Sequence, residues 1–212
     1  MRICALQIFV SLALTYFVMD RVATAEDRPS QATTAEKPAF VFGGVGYFHR
    51  WSQNDQHEFT PKGQDDLEKW SDMITINLYP KAHDGDALAA QANTVLENYK
   101  NHGGRVLRTN SVPRTPDRSA EHFIAVVFGR PNFIEAAFAR FKLVNGVGCS
   151  IVCSRRIYGE TVGDQMSKWL NDNGTKTEKM LMEWNNVPSP ASLGDLPRKQ
   201  VRVDSAKSSA IK

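Results

Sequence analysis

The sequence has little cysteine, little excess charge and, beyond its first residues, no long apolar run. Three cysteines occur among 212 residues, and the formal net charge is +3 at pH 7. So small a charge, without basic residues clustered on one face, is not the footprint of a nucleic-acid-binding protein. After Met19 no segment is long and apolar enough to cross a bilayer. We therefore expect no nucleic-acid partner and no membrane span in the mature protein.

Motifs that bind nucleotides, metals or cofactors are also absent. The chain contains no internal repeat and no GxSxG elbow, Walker loop, HExxH pair or CxxC pair. The glycine-rich stretch 43–46 is followed by aromatic residues, where a phosphate-binding loop needs the start of a helix. We expect this stretch to bend a strand, and we expect no cofactor.

Residues 1–25 have the three-part pattern of a secretory signal peptide. Arg2 supplies the basic start, a mostly apolar run ends at Met19, and Ala23 and Ala25 form an A-x-A cleavage site. The alternative is an uncleaved anchor, which polar residues within the run disfavour. We expect a mature protein that begins at Glu26 and is periplasmic or secreted.

Cys149 and Cys153 remain after cleavage, in a compartment that permits disulfides. The β-branched residues between them predict a strand. Four strand residues span about 13 Å, whereas a disulfide needs α-carbons roughly 4.4–6.8 Å apart. Two separate thiols are therefore expected, with a bridge as the alternative.

The rest of the chain divides into a leader, a domain and a tail. Residues 26–38 and 185–212 are polar, contain several prolines and lack apolar periodicity, which indicates a flexible leader and a disordered tail. Residues 39–184 carry the periodic segments. Alternation or β-branched residues predict strands over 40–49, 57–60, 73–79, 105–111, 122–128, 135–143 and 148–157.

Helices are indicated by 3.6-residue periodicity and by residues that begin or end a helix. The longest, over 86–101, presents Leu88, Ala92, Val95, Leu96 and Tyr99 on one face. One or two helical turns after Pro61 and two closing helices over 162–171 and 176–184 complete the pattern. Short strands joined by turn-length loops favour an antiparallel sheet. The fold class is α+β: about six to seven mainly antiparallel strands with helices packed on them, in a single domain.

This order of elements resembles the PsbP-like α/β/α sandwich. The strand 73–79, the helix 86–101, the strand meander up to Tyr158 and the closing helix around Trp169 carry the resemblance. The sequence also resembles an uncharacterised family of exported bacterial proteins. The sandwich fold implies a binding or accessory module, because proteins of that class commonly assist larger assemblies.

Candidate ligand-binding residues are Trp51, Arg155, Arg156 and Tyr158. Trp51 lies among polar residues, which favours an exposed position, whereas the other tryptophans have helical spacing typical of core packing. The planar fork of an arginine suits a carboxylate or a phosphate. The alternative for this pair is an ion pair with Glu160.

The competing hypothesis is a small periplasmic hydrolase or metal-dependent enzyme that uses His49, His57 and His122. Glu58 and Glu121 adjoin two of these histidines and would supply carboxylates if the strands were neighbours. Solvated polar side chains are the simpler interpretation, and we expect no metal. The favoured function is a non-enzymatic exported domain whose partner is an envelope protein or a small ligand.

Overall fold

A computed structural model describes residues 37–197 as one antiparallel sheet with helices on both faces. The strands are β1 (Phe40–Phe42), β2 (Val45–Gln53), β3 (Gln56–Pro61), β4 (Asp72–Tyr79), β5 (Gly104–Val112), β6 (Glu121–Arg130), β7 (Phe133–Val144) and β8 (Val147–Tyr158). The helices are α1 (Gly85–Asn101), α2 (Val162–Glu183) and α3 (Pro190–Gly194). The predicted signal peptide and nearly all of the predicted leader lie outside the described residues.

The eight strands are ordered β1-β2-β3-β4-β8-β7-β6-β5, and every neighbouring pair is antiparallel. Two runs of consecutive strands, β1–β4 and β5–β8, meet where β4 pairs with β8. Between β4 and β8 the chain forms α1 and the β5–β7 meander. The predicted α+β class and antiparallel sheet are confirmed, with one strand more than the upper expectation. The segment over 135–143, whose alanines also suit a helix, is a strand.

The extra strand comes from the glycine-rich stretch near the start of the domain. Gly43 and Gly44 have φ values of 57° and 82° and turn the chain back on itself between β1 and β2. The left-handed region is readily available to glycine, so this dipeptide makes a tight hairpin turn. The prediction of one bent strand over 40–49 is wrong, because the bend is a complete reversal.

Two predicted helix assignments are also wrong. The closing segment is one 22-residue helix, α2, that runs through Asn173 and Gly174 without a turn. Residues 172–175, which the prediction left between two helices, are inside this helix, where packing against β7 and β8 outweighs the local turn preference. Residues 62–71 form turns and bends in place of helical turns. Trp70 from this segment is nevertheless buried.

Each face of the sheet carries its own core. On the face covered by α2, called the α2 face, the largest buried side chains include Phe59, Ile74, Ile76, Phe123 and Ile151. On the opposite face, the α1 face, α1 packs over β5, β6 and β7. Successive strand residues point to opposite faces, so the alternation of β4 sends Ile74 and Ile76 to α2 and leaves Thr75 and Asn77 on the α1 face.

Helix α1 begins one residue before its predicted start and ends at the predicted residue. The Asp84 carboxylate accepts a hydrogen bond from the Ala87 amide, which caps the helix. Leu88 and Ala92 are buried, whereas Leu96 is only partly buried. Trp169 of α2 is likewise partly buried, with its ring edge-on to Phe138 at 6.2 Å. The core packing predicted for Trp169 is therefore only partial, because the ring packs against the α2-face core without being enclosed by it.

The first part of the predicted disordered tail is ordered. Ser189 caps α3, and Leu193 from that helix is 1% exposed within the α2-face core. The domain therefore extends past residue 184, and residues 198–212 lie outside the described part. Among residues 37–197, no helix combines the length and the apolar character needed to span a membrane.

Candidate functional site

The two predicted arginines lie on opposite faces of β8 because they are adjacent in a strand. Arg155, on the α2 face, donates to Asp72 at 2.8 Å. Arg156, on the α1 face, donates to Glu135 at 2.8 Å. Neither arginine forms an ion pair with Glu160, the predicted alternative partner. Each arginine does form an ion pair, but with another carboxylate. Arg155 and Arg156 therefore do not contribute to one common site.

The Arg156 guanidinium contacts two aromatic rings in addition to the Glu135 carboxylate. Its guanidinium carbon lies 3.9 Å from the centre of the Trp70 ring and 4.3 Å from that of Phe133. The Tyr158 hydroxyl donates to the Trp70 carbonyl oxygen at 2.9 Å. These contacts pack segment 62–71 against the sheet. Arg156 and Tyr158 therefore have a structural role.

Trp51 lies in a different environment, on a part of the sheet that α1 does not cover. Strand register aligns Trp51 with Glu58 and Thr75, and Gln53 with Gln56 and Asn77. All six side chains belong to the α1 face of β2, β3 and β4, and we call this group the open face. Gln53 is exposed and the other five are half-buried. The open face is therefore a polar surface with one large aromatic ring.

Most hydrogen-bonding groups of the open face are unused. Gln56 donates to Glu58 at 2.8 Å, and Asn77 donates to Ser150 at 3.0 Å. Within residues 37–197, the side chains of Trp51, Gln53 and Thr75 form no hydrogen bond. A ligand can hydrogen-bond to these groups without breaking a bond inside the protein, and each such bond contributes about 0.5–1.5 kcal/mol. The arrangement can accept a ligand with many hydrogen-bonding groups.

Glu58 is the ionisable group at the centre of the open face. Burial raises the pKa of its carboxyl above the usual value, and the Gln56 hydrogen bond and the Arg156 charge oppose that rise. The nearby charges of Glu135 and Glu68 add to the rise in pKa. A carboxylate in such surroundings is a strong acceptor for a hydroxyl or amide donor.

A cleft beside α1 borders the open face. It has a volume of about 550 Å³ and is lined by Tyr79 and Pro80 of the β4 end and by one side of α1, with Ala87, Ala90, Gln91 and Thr94. Tyr79 follows Asn77 by two residues on the same face, and the turn residue Asp55 joins Gln53 to Gln56. An elongated ligand could occupy both the open face and this cleft.

The three predicted histidines do not converge on one site. His49 and His57 both contact the hydroxyl of buried Ser52, at 2.7 and 2.8 Å, on the α2 face of β2 and β3. His122 lies on the α1 face of β6, with three strands between β3 and β6. Its Nδ1 contacts the Ser111 hydroxyl at 2.9 Å, and burial lowers its pKa.

The predicted carboxylates are apart from these histidines as well. Glu58 points to the face opposite His57, and both oxygens of Glu121 are bonded to Arg140. Among the described residues no group of three or more His, Cys, Asp or Glu side chains could hold a metal ion.

Cys149 and Cys153 are free thiols on strand β8, as the strand prediction requires. Burial raises the pKa of Cys149 to about 11 and that of Cys153 to about 12. Both thiols are therefore protonated at neutral pH, and a protonated thiol is a poor nucleophile.

The sequence singles out Trp51 but does not group it with the other five residues of the open face. The alternation of β4 placed Thr75 and Asn77 opposite the core, which indicated a solvated face. The same pattern could not show that Gln53, Gln56 and Glu58 lie beside them, because that depends on which strands pair and in which register.

Comparison with known proteins gives a family match and distant structural similarities. A family model matches residues 35–187. No curated protein matches the sequence. The Ran-binding protein Mog1p of Saccharomyces cerevisiae has a TM-score of 0.42 and 10% identity, over 68% of this chain and 88% of that one.

Two further solved structures match with an equal or a lower TM-score. A mutant of protein Mog1 has a TM-score of 0.42 and 13% identity, over 69% of this chain and 91% of that chain. Human STARD10 has a TM-score of 0.27 and 6% identity, over 65% of this chain and 74% of that chain. Similarities at these values carry no functional assignment.

Proposed function

This chain belongs to the family whose model matches residues 35–187, and we propose that it is an exported, non-enzymatic binding domain whose open face takes a polar ligand. The observation that carries the proposal is the open face itself: six polar or aromatic side chains, three of them without a hydrogen bond in the described part of the chain. The role of an accessory module, which the PsbP-like resemblance implies, stays a prediction.

The chemistry of the open face favours a neutral ligand rich in hydroxyl groups, such as an oligosaccharide. Amide groups at Gln53, Gln56 and Asn77 both donate and accept hydrogen bonds, and Glu58 accepts. Trp51 offers a flat apolar surface that can stack against the C–H face of a sugar ring. Few charged groups lie on this face, so a strongly charged ligand gains less there.

Binding of neutral trisaccharides, measured by titration calorimetry, tests this assignment. Cellotriose, maltotriose and chitotriose are suitable probes because they differ in linkage and substituents. Trp51→Ala and Glu58→Gln should each weaken binding of the preferred sugar at least tenfold. Glu97→Gln, on the exposed side of α1, is the matched control and should leave the affinity unchanged.

Two outcomes would contradict the proposal. Equal affinity in wild type, Trp51→Ala and Glu58→Gln would remove the open face as the site, and so would saturable binding by peptides but by no sugar. Chromatography of the same sugars after incubation separates binding from catalysis: shortened products would favour the hydrolase alternative.

Export rests on the sequence of residues 1–25, which lie outside the described part. The A-x-A site after a bounded apolar run supports cleavage after Ala25. N-terminal sequencing of protein recovered from the native envelope or medium should begin at Glu26. Recovery of the chain with Met1 intact would contradict export by this signal.

A further inference from the structure

A second cleft lies on the opposite side of the sheet, where residues 113–120 approach the end of α2. Its volume is about 510 Å³. The floor is formed by strand residues of the α2 face and the walls by the loop and the helix end, with Arg118, Glu121, Arg140, Lys142, Met182 and Asn185 among the lining residues. We call it the α2 cleft.

Two of the charged groups in the α2 cleft neutralise each other. Arg140 is 3% exposed and binds Glu121 through two hydrogen bonds, of 2.7 and 3.0 Å. Its remaining terminal nitrogen donates to the carbonyl oxygens of Leu181 and Trp184 at the end of α2. Both oxygens of Glu121 are thus bound by Arg140, and Glu121 forms no ion pair with Lys142.

Lys142 is the cation that this arrangement leaves without a carboxylate. It is half-buried at the cleft floor, and within residues 37–197 it forms no ion pair. Burial lowers the pKa of its ammonium group, and the positive charges of Arg140 and Arg118 lower it further. The charge of Glu121 acts in the opposite direction but ranks below burial and Arg140.

Arg118 extends the positive charge to the mouth of the cleft. A pair of backbone hydrogen bonds between Thr115 and Arg118, of 2.8 and 3.3 Å, closes the turn that carries it. The other acidic lining residues, Asp117 and Glu183, are exposed, as is Arg118, so Lys142 is the one partly buried charge of the lining outside the Arg140–Glu121 pair. A positive charge that burial partly desolvates, such as that of Lys142, is stabilised by an anion that can also accept hydrogen bonds.

We propose that the α2 cleft binds the oxyanion group of a small ligand, a phosphate or a carboxylate, through Lys142 and Arg118. The ammonium group supplies a point charge at the floor, and the guanidinium supplies a planar fork at the mouth. The site is separate from the open face, because the two lie on opposite sides of the sheet. One domain would then carry a neutral-ligand surface and an anion site.

Titration of the folded protein with inorganic phosphate and with succinate tests the proposal, and the amide NMR spectrum is the readout. Chloride at matched ionic strength controls for screening. Saturable shifts should centre on Arg118 and Lys142, and the tighter of the two probes identifies the anion. Lys142→Met and Arg118→Gln should weaken binding at least tenfold. Lys176→Met, an exposed lysine on α2, should change it less than twofold.

The absence of saturable shifts with both probes would overturn the proposal, and so would unchanged affinity in Lys142→Met. Unfolding midpoints in urea establish that each variant is folded. If Lys142→Met fails to fold, Arg118→Gln on the exposed turn decides the outcome, since loss of its side chain leaves the core intact. Shifts that centre on the open face would also count against the α2 cleft.

Discussion

Arg140 and Glu121 form a buried, bidentate ion pair that joins β7 to β6, with nitrogen–oxygen distances of 2.7 and 3.0 Å. The same guanidinium caps the last turn of α2 through two carbonyl oxygens. A cation near a helix C-terminus is favourable, because the exposed carbonyls carry partial negative charge. One side chain therefore fixes a strand pair and the position of a helix end.

Removing one partner of this pair should destabilise the fold strongly. Arg140→Met leaves Glu121 charged and buried, and we expect a loss of about 3–5 kcal/mol in the free energy of unfolding. Urea denaturation measures it. Lys168→Ala, which breaks an exposed pair with Asp172, should change the free energy of unfolding far less, because water screens that pair. The double variant Glu121→Leu with Arg140→Met should lose less than the two single losses added. Similar small costs for Arg140→Met and Lys168→Ala would contradict this account.

Packing of α1 on the sheet depends most on Leu88. This side chain is fully buried in the α1-face core, with its Cδ1 beside Gly148. Leu88→Ala should reduce the free energy of unfolding by about 2–5 kcal/mol. Leu96→Ala should cost about 1–2 kcal/mol, since Leu96 is only partly buried and loses less transfer free energy. Urea denaturation of both variants gives the comparison, and a larger loss at Leu96 would mean that α1 packs in another orientation.

The two thiols should make the protein less stable at alkaline pH. Their folded-state pKa values, about 11 and 12, exceed the value of an unfolded cysteine, about 8.5. The folded state therefore retains protons that the unfolded state releases, so stability falls as pH rises above the unfolded value. Unfolding midpoints at pH 8, 9 and 10 should decline. The variant Cys149→Ala with Cys153→Ala should decline less, and an identical slope would contradict the mechanism.

The Glu58 carboxylate should lower the stability of the fold at neutral pH, in the same direction as the two thiols at alkaline pH. Because the pKa of Glu58 is raised, ionisation of its carboxyl costs free energy in the folded state. The stability present with the protonated carboxyl is therefore complete below the unfolded pKa and is lost as pH rises through the folded pKa. Glu58→Gln should therefore gain stability relative to wild type at pH 7 more than at pH 4. Thermal unfolding at both pH values measures this difference, and Glu97→Gln is the control. Destabilisation of Glu58→Gln at pH 7 would show that the carboxylate serves the fold.

Local periodicity in the sequence determined most of the elements. Alternation in β4 and the apolar face of α1 each depend on residues within one element, and both were predicted close to their observed bounds. The separation of Cys149 and Cys153 followed from strand geometry alone. Errors arose where local preference was overruled: Asn173 and Gly174 favour a turn, yet the packed face of α2 continues through them.

Only the tertiary structure decided which distant side chains meet. Arg156 binds Glu135, 21 residues away, rather than the nearby Glu160, because β7 and β8 pair in a register that aligns them. Strand order likewise sets His122 apart from His49 and His57 and brings Trp51 beside Glu58. The period of a strand determines the face of a residue, but its neighbours on that face depend on register and on the order of strands, which are properties of the whole sheet.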